Sequence, residues 1–169
     1  MNRHRFLVFL IFYVPSLETT EECPRGWIFF GKSCYYFGKE NKSWAHASST
    51  CAAHGATLAM INSAEEDKFL RDMMMSIGRR RSPRAVEPDY WIDGTDHDNE
   101  GQWIWSSVNQ PITYKNFYPG EPDDREGNED CLEMSRNYQG QWNDDNCYDE
   151  AMYICEQQSA SAVLENGVG

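Results

Sequence analysis

The order of apolar and polar positions changes rhythm several times along this chain. Five residues with two arginines, Met1-Asn2-Arg3-His4-Arg5, precede an unbroken apolar run, Phe6 to Val14, which Pro15-Ser16 end. A basic head, a short apolar run and small residues beyond it form the layout of a secretory signal peptide. Residues 1–16 are read that way, with the cut between 16 and 20. The run is too short to cross a bilayer, which takes about 20 apolar residues. No later stretch approaches that length. Trp27-Ile28-Phe29-Phe30 and Cys34-Tyr35-Tyr36-Phe37 then read as two strands joined by a Gly31-Lys32 turn.

Ser43 is a candidate N-cap for a helix in which Trp44, Ala47 and Cys51 recur at helical spacing, with Gly55 as its stop. Ser63 and Glu66 form a capping box for a second helix through Phe69, Leu70, Met73 and Ile77 to Gly78. Its Met73-Met74-Met75 run fits core filling with one exposed edge. Arg79-Arg80-Arg81-Ser82-Pro83-Arg84 reads as a solvated basic loop; a proprotein cleavage site or a contact for an anionic partner are its other readings. Beyond it the pattern turns to β. Tyr90-Trp91-Ile92, Trp103-Ile104-Trp105, Cys131-Leu132-Glu133-Met134, Gln141-Trp142 and Met152-Tyr153-Ile154 are short and rich in aromatic or aliphatic residues. Between Trp105 and Cys131 lies a long stretch of Pro, Gly, Asn and Asp, and such a loop inside a compact domain is usually functional. The tail, 158–169, is small and polar and is expected to fray.

At 169 residues the chain amounts to about one domain. It carries 27 Asp+Glu against 15 Lys+Arg, a net charge of −12. That balance repels phosphate backbones and anionic lipid, so nucleic-acid binding is set aside. It suits hard cations. Secretion changes how the six cysteines are read: Cys23, Cys34, Cys51, Cys131, Cys147 and Cys155 are even in number, and an oxidising compartment favours disulfides. None forms a Cys-x-x-Cys pair. Asn41-Lys42-Ser43 is a glycosylation sequon and fits a secreted surface.

Carboxylates crowd one region. Glu121, Asp123, Asp124, Glu126, Glu129 and Asp130 fall within ten residues, offset only by Arg125. Asn143, Asp144 and Asp145 follow Trp142, and Asp96, Asp98 and Glu100 lie on an earlier turn. Packing such acids together costs energy through mutual repulsion unless a cation neutralises them. Outside the cell Ca2+ is the natural cation, with about six to eight oxygen ligands in a flexible shell. The spacing is not that of an EF-hand. Solvation of a plain acidic loop is the bland alternative.

With these residues in view, the chain resembles a C-type lectin domain over 23–157. The likeness runs through Cys23-Pro24-x-Gly26-Trp27, then Trp91-Ile92-Asp93-Gly94 where the family usually has Trp-Ile-Gly-Leu. It continues through Glu121-Pro122-Asp123, Glu129-Asp130-Cys131, Trp142-Asn143-Asp144 and Ile154-Cys155-Glu156. The resemblance implies an α+β fold in which two helices flank small antiparallel sheets beside a long calcium- and sugar-binding loop. It implies the disulfides Cys23–Cys34, Cys51–Cys155 and Cys131–Cys147. It implies a primary Ca2+ site of Glu121, Asp123, Glu129, Asn143 and Asp144, and a second of Asp96, Glu100, Asp124, Glu129 and Asp130. Function is then expected to be secreted, calcium-dependent recognition of terminal sugars on microbial or cell-surface glycans, in innate immunity or agglutination, with no enzymatic activity. The sugar motif departs from pattern. Glu-Pro-Asn accompanies mannose-type sugars in the family and Gln-Pro-Asp galactose-type, whereas Glu121-Pro122-Asp123 matches each at one position. Mannose-type binding is favoured and mixed specificity stands next. A protein- or mineral-binding domain on the same fold, without sugar, is the alternative. A glycosidase using paired carboxylates is a third reading, and retention of turnover in chelator would mark it.

Overall fold

The computed structural model describes residues 22–81 and 89–166. The signal segment and Ser82-Pro83-Arg84 lie outside the described residues. Strands β1 (Ile28–Phe30) and β2 (Ser33–Phe37) form the expected hairpin, with Gly31 at φ +62° in the turn. Helix α1 (Trp44–Ala53) starts after Ser43, whose hydroxyl pairs with His46 Nδ1 at 3.0 Å instead of capping the backbone. Gly55, at φ +68°, follows the helix end, where a side chain would be strained. Strand β3 (Thr57–Leu58) leads to helix α2 (Ala64–Arg81). Ser63 Oγ accepts the Glu66 N–H at 3.1 Å, and Glu66 returns to the Asn62 N–H at 2.8 Å, one residue short of a reciprocal box. Gly78 does not stop α2. The helix continues through Arg81, so half of the basic stretch expected to be loop is helical: one glycine costs a helix only about 1 kcal/mol, and arginine favours it.

Six strands follow: β4 (Tyr90–Thr95), β5 (Ile104–Trp105), β6 (Gln110–Pro111), β7 (Cys131–Ser135), β8 (Gln141–Asp145) and β9 (Met152–Gln158). The sheet runs β1-β2-β9-β4-β5-β6, with β3 added to β9 and β7 pairing both β4 and β8. β9 ties the halves together, antiparallel to β2 and parallel to β4. Trp91 and Trp142 are fully buried on opposite parts of this framework. The Trp91 indole N–H donates to the Lys42 carbonyl, so its polar edge is satisfied. Met74 is buried with Met73 and Met75 half-buried, as filler should be.

The disulfides are Cys23–Cys34, Cys51–Cys155 and Cys131–Cys147. The second joins α1 to β9 across a sequence separation of 104. The frayed tail is a correction. β9 runs on to Gln158, Ser159 is buried, and a third helix, α3 (Ala160–Asn166), follows with Ala162 buried. The Ser159 hydroxyl caps its first turn by accepting the Ala162 N–H, and the Glu22 carbonyl accepts the Ala160 N–H. Small residues pack closely there, which composition alone does not signal.

Candidate metal centre

Among the described strands β8 pairs with β7 alone, which leaves its outer edge to the long loop. The long loop seals that edge: Trp142 N–H donates to the Asn116 carbonyl at 2.9 Å and Tyr118 N–H to the Trp142 carbonyl at 3.0 Å. Tyr118 in turn accepts the Glu121 N–H at 2.9 Å, turning the loop back over β8. The Glu121–Pro122 peptide is cis. Residues 124–129 then close on themselves. Asp124 Oδ1 accepts the Glu129 N–H at 3.2 Å, and Glu129 Oε2 accepts the Arg125 N–H at 2.9 Å. Asp124 and Glu126 take positive φ in this turn.

These contacts bring three acids together. Ligand oxygens of Glu121, Asp123 and Asp144 all lie within 4.8 Å of one another. Asp144, buried on β8, accepts the N–H groups of Asp123 at 3.2 Å and Asp124 at 2.8 Å, so it also fixes the loop backbone. Asn143 lies opposite Glu133 of β7 and donates its amide to Glu133 Oε1 at 3.2 Å. Asp123, Glu129 and Asn143 share the wall of a polar cavity of about 220 Å³ with Arg125 and Tyr138. The five residues expected at the primary site therefore border one another, three as a tight oxygen cluster and two along the adjoining cavity.

The second set divides. Asp96, Glu100 and Asp130 converge within 4.8 Å, beside His97, whose Nδ1 lies 3.2 Å from Asp130 Oδ2. Asp124 and Glu129 are not in that cluster; their carboxylates brace the 124–129 turn. A larger cleft, about 850 Å³, runs between the start of α1 and exposed Tyr148 with Asp96 on its wall, and it contains no member of the primary set.

The electrostatics are those of acids held against their will. Burial raises Glu129 to about 7, helped by the charges of Asp144 and Asp123. Burial also raises Glu121 and Asp144, with neighbouring carboxylates adding to it. Asp96 is pushed up to about 6 by burial and by Glu100 and Asp130. Two carboxylate oxygens, Glu121 Oε2 and Asp96 Oδ1, are buried with no hydrogen-bond partner. An orphaned acceptor of this kind calls for a cation or a proton. An all-oxygen donor set with one orphaned acceptor in each cluster fits Ca2+.

Several residues at the site escaped the sequence reading. Tyr138 lines the polar cavity beside Asp123 and Glu129, and its ring stacks on Tyr118 at 4.0 Å. Glu133 orients Asn143. Alternation along β7 puts Glu133 and Ser135 on one face, but only the pairing register places Asn143 opposite.

An edge strand and its covering loop thus gather acidic side chains at one flank of the sheet. Residues 40–157 match the family described as Lectin C-type domain. The chain belongs to the C-type lectin family. It is 38% identical over 143 residues to the low affinity immunoglobulin epsilon Fc receptor of Mus musculus, a match covering 83% of this chain and 39% of that protein. The chain thus spans well under half the length of that relative. The carbohydrate-recognition domain of cow CD23, solved in the presence of a GlcNAc2Man3 oligosaccharide, has a TM-score of 0.68 and 38% identity, covering 80% of this chain and 95% of that one. A calcium-independent type II antifreeze protein has a TM-score of 0.68 at 27% identity, covering 81% and 95%. Domains of this family generally bind Ca2+ and carbohydrate, and the family and fold are non-enzymatic. Among the described residues no helix is long and apolar enough to cross a membrane.

Proposed function

We propose that the chain is a secreted, calcium-dependent lectin whose primary site is Glu121, Asp123, Glu129, Asn143 and Asp144. One observation carries the reading: three carboxylates meet within 4.8 Å while an oxygen of Glu121 is left buried and unpartnered. Calcium, when bound, offers open coordination positions to two neighbouring sugar hydroxyls. This chain's residues do the rest. Carboxylates of Glu121, Asp123 and Glu129 accept hydrogen bonds from the sugar hydroxyls. Asn143 has two amide hydrogens and uses one on Glu133, which leaves the other for a sugar oxygen. No aromatic residue occurs in Arg125-Glu126-Gly127-Asn128 to carry a galactose-type ring, so mannose-type sugars are favoured, with mixed specificity next.

Single-site affinity is expected to be low, since a small wet contact offsets little of the lost freedom. Useful avidity then comes from multivalent glycans on microbes or cell surfaces, in innate recognition or agglutination. Asp96, Glu100 and Asp130 are the proposed core of a second ion site, and exposed Asn41 the proposed glycan acceptor. A glycan array at millimolar Ca2+, repeated in chelator, tests the reading. Binding that persists in chelator, or no ion uptake in equilibrium dialysis, overturns it. A protein- or mineral-binding role would give no calcium-sensitive signal on that array.

A further inference from the structure

We infer that Asp67 on α2, outside the ligand set, is a positioning residue for the primary site, acting through Trp142 and Asn116. The inference rests on the reading of that site given above. Asp67 is 0% exposed, in a helix whose outer face is charged. Its Oδ1 accepts the Trp142 indole N–H at 2.9 Å, and its Oδ2 accepts the Asn116 amide at 2.8 Å. Arg71, one turn on, pairs with Oδ2 at 2.8 Å. The Arg71 stem in turn lies over Gly140, where an added Cβ would come within 2.6 Å of Arg71 Cγ.

Each partner leads to the ligands. Trp142 immediately precedes Asn143 and Asp144. Asn116 begins the loop contact that passes through Tyr118 to the Glu121 backbone. One carboxylate therefore grips β8 and the loop together and sets the distance between Asp144 on one and Glu121 on the other. The residue type follows from the donors. Two N–H donors and one guanidinium charge converge on two oxygens, and an amide would turn its own N–H2 toward one of them. Without the clamp the ion must order the loop itself, and that cost enters the binding constant.

The test is calcium titration by calorimetry on the full chain and on Asp67→Asn and Asn116→Ala, with thermal midpoints in chelator measured alongside. Both variants keep every ligand. The expected result is a calcium Kd raised about tenfold in each, the usual scale for supporting-shell changes. A residue that only held the fold would lower the midpoint and leave the Kd of the folded protein alone. Should Asp67→Asn not fold, Asn116→Ala decides, because Asn116 is half-buried and its backbone contact to Trp142 survives the substitution. Normal uptake by the wild-type chain with unchanged Kd in the folded variants sinks this inference alone. No uptake by the wild-type chain sinks the site as well.

Discussion

Protons and calcium should compete for the primary site well above the ordinary carboxylate range. Glu129 stands at about 7 in the ion-free protein, because burial and the charges of Asp144 and Asp123 disfavour its ionised form. At pH 7 that proton lowers calcium affinity only about twofold. At pH 5 the group is almost wholly protonated, and the same competition lowers affinity about 100-fold. The difference, roughly 50-fold over two pH units, comes from one carboxyl. Glu121 and Asp144, also raised by burial, steepen it. The assay is calorimetric titration of Ca2+ at pH 7, 6 and 5 in buffers of differing ionisation enthalpy, which counts protons released per ion. About one or more is expected at pH 6. Sugar retention on a column should fall over the same interval. Affinity that is flat from pH 7 to 5, or uptake without proton release, would refute the assignment of Glu129 to the ion.

Stability of the ion-free protein should run the other way. Folded pKa values above the unfolded ones mean that the folded chain holds more protons between about pH 4.5 and 7, so its stability falls as pH rises through that window. Excess calcium supplies the neutralising charge instead and adds stability at neutral pH. Thermal midpoints in chelator and in calcium should therefore diverge as pH increases, and parallel curves would count against the coupling. Asp123→Asn introduces the amide of the mannose-type motif and should sharpen preference for mannose on a glycan array; an unchanged profile would refute the acceptor argument. Gly94→Ala drives a Cβ into the Leu132 side chain, where β4 pairs with β7. It should cost about 1–3 kcal/mol in chemical denaturation, as overpacking does. Replacing Cys51 and Cys155 together by Ala should cost about 4–5 kcal/mol for a loop of this length in the chain-entropy model.

Elements with strong local signals were legible in the sequence. Ser63 and Gly55 marked helix ends because caps act within a turn, Ser43 marked one by position although its hydroxyl turns to His46, and the aromatic runs marked strands because burial on both faces leaves a dense apolar segment. Helix α2 overran Gly78 because a single glycine is a weak stop when arginines follow. Strands β3 and β6, two residues each, carry no periodicity at all; their pairing with β9 and β5 is a tertiary event. The same division holds at the site. The acids were visible as a run, but which of them converge was not. Asp124 sits inside that run, yet a left-handed φ of 41° turns its carboxylate onto the Glu129 N–H.

The register of β8 explains why the ligands need both a strand and a loop. Its burial alternates, so Trp142 and Asp144 face inward while Gln141, Asn143 and Asp145 face outward. Asn143 and Asp144 are neighbours in sequence and point to opposite sides of the sheet. In an interior strand, no single ion would reach both. β8 is an edge strand, so both side chains border the open flank, and the loop carrying Glu121 and Asp123 covers that flank. The arrangement also settles a cost that edge strands carry, since loop backbone caps the unpaired groups at Trp142. The inward position of Trp142 brings its indole to α2, where Asp67 is waiting for it. A ligand pair on one edge strand, a loop laid along that edge and a helix gripping both form a single mechanical unit. Loosening the helix contact and removing a ligand should thus weaken ion binding in the same direction, by different amounts.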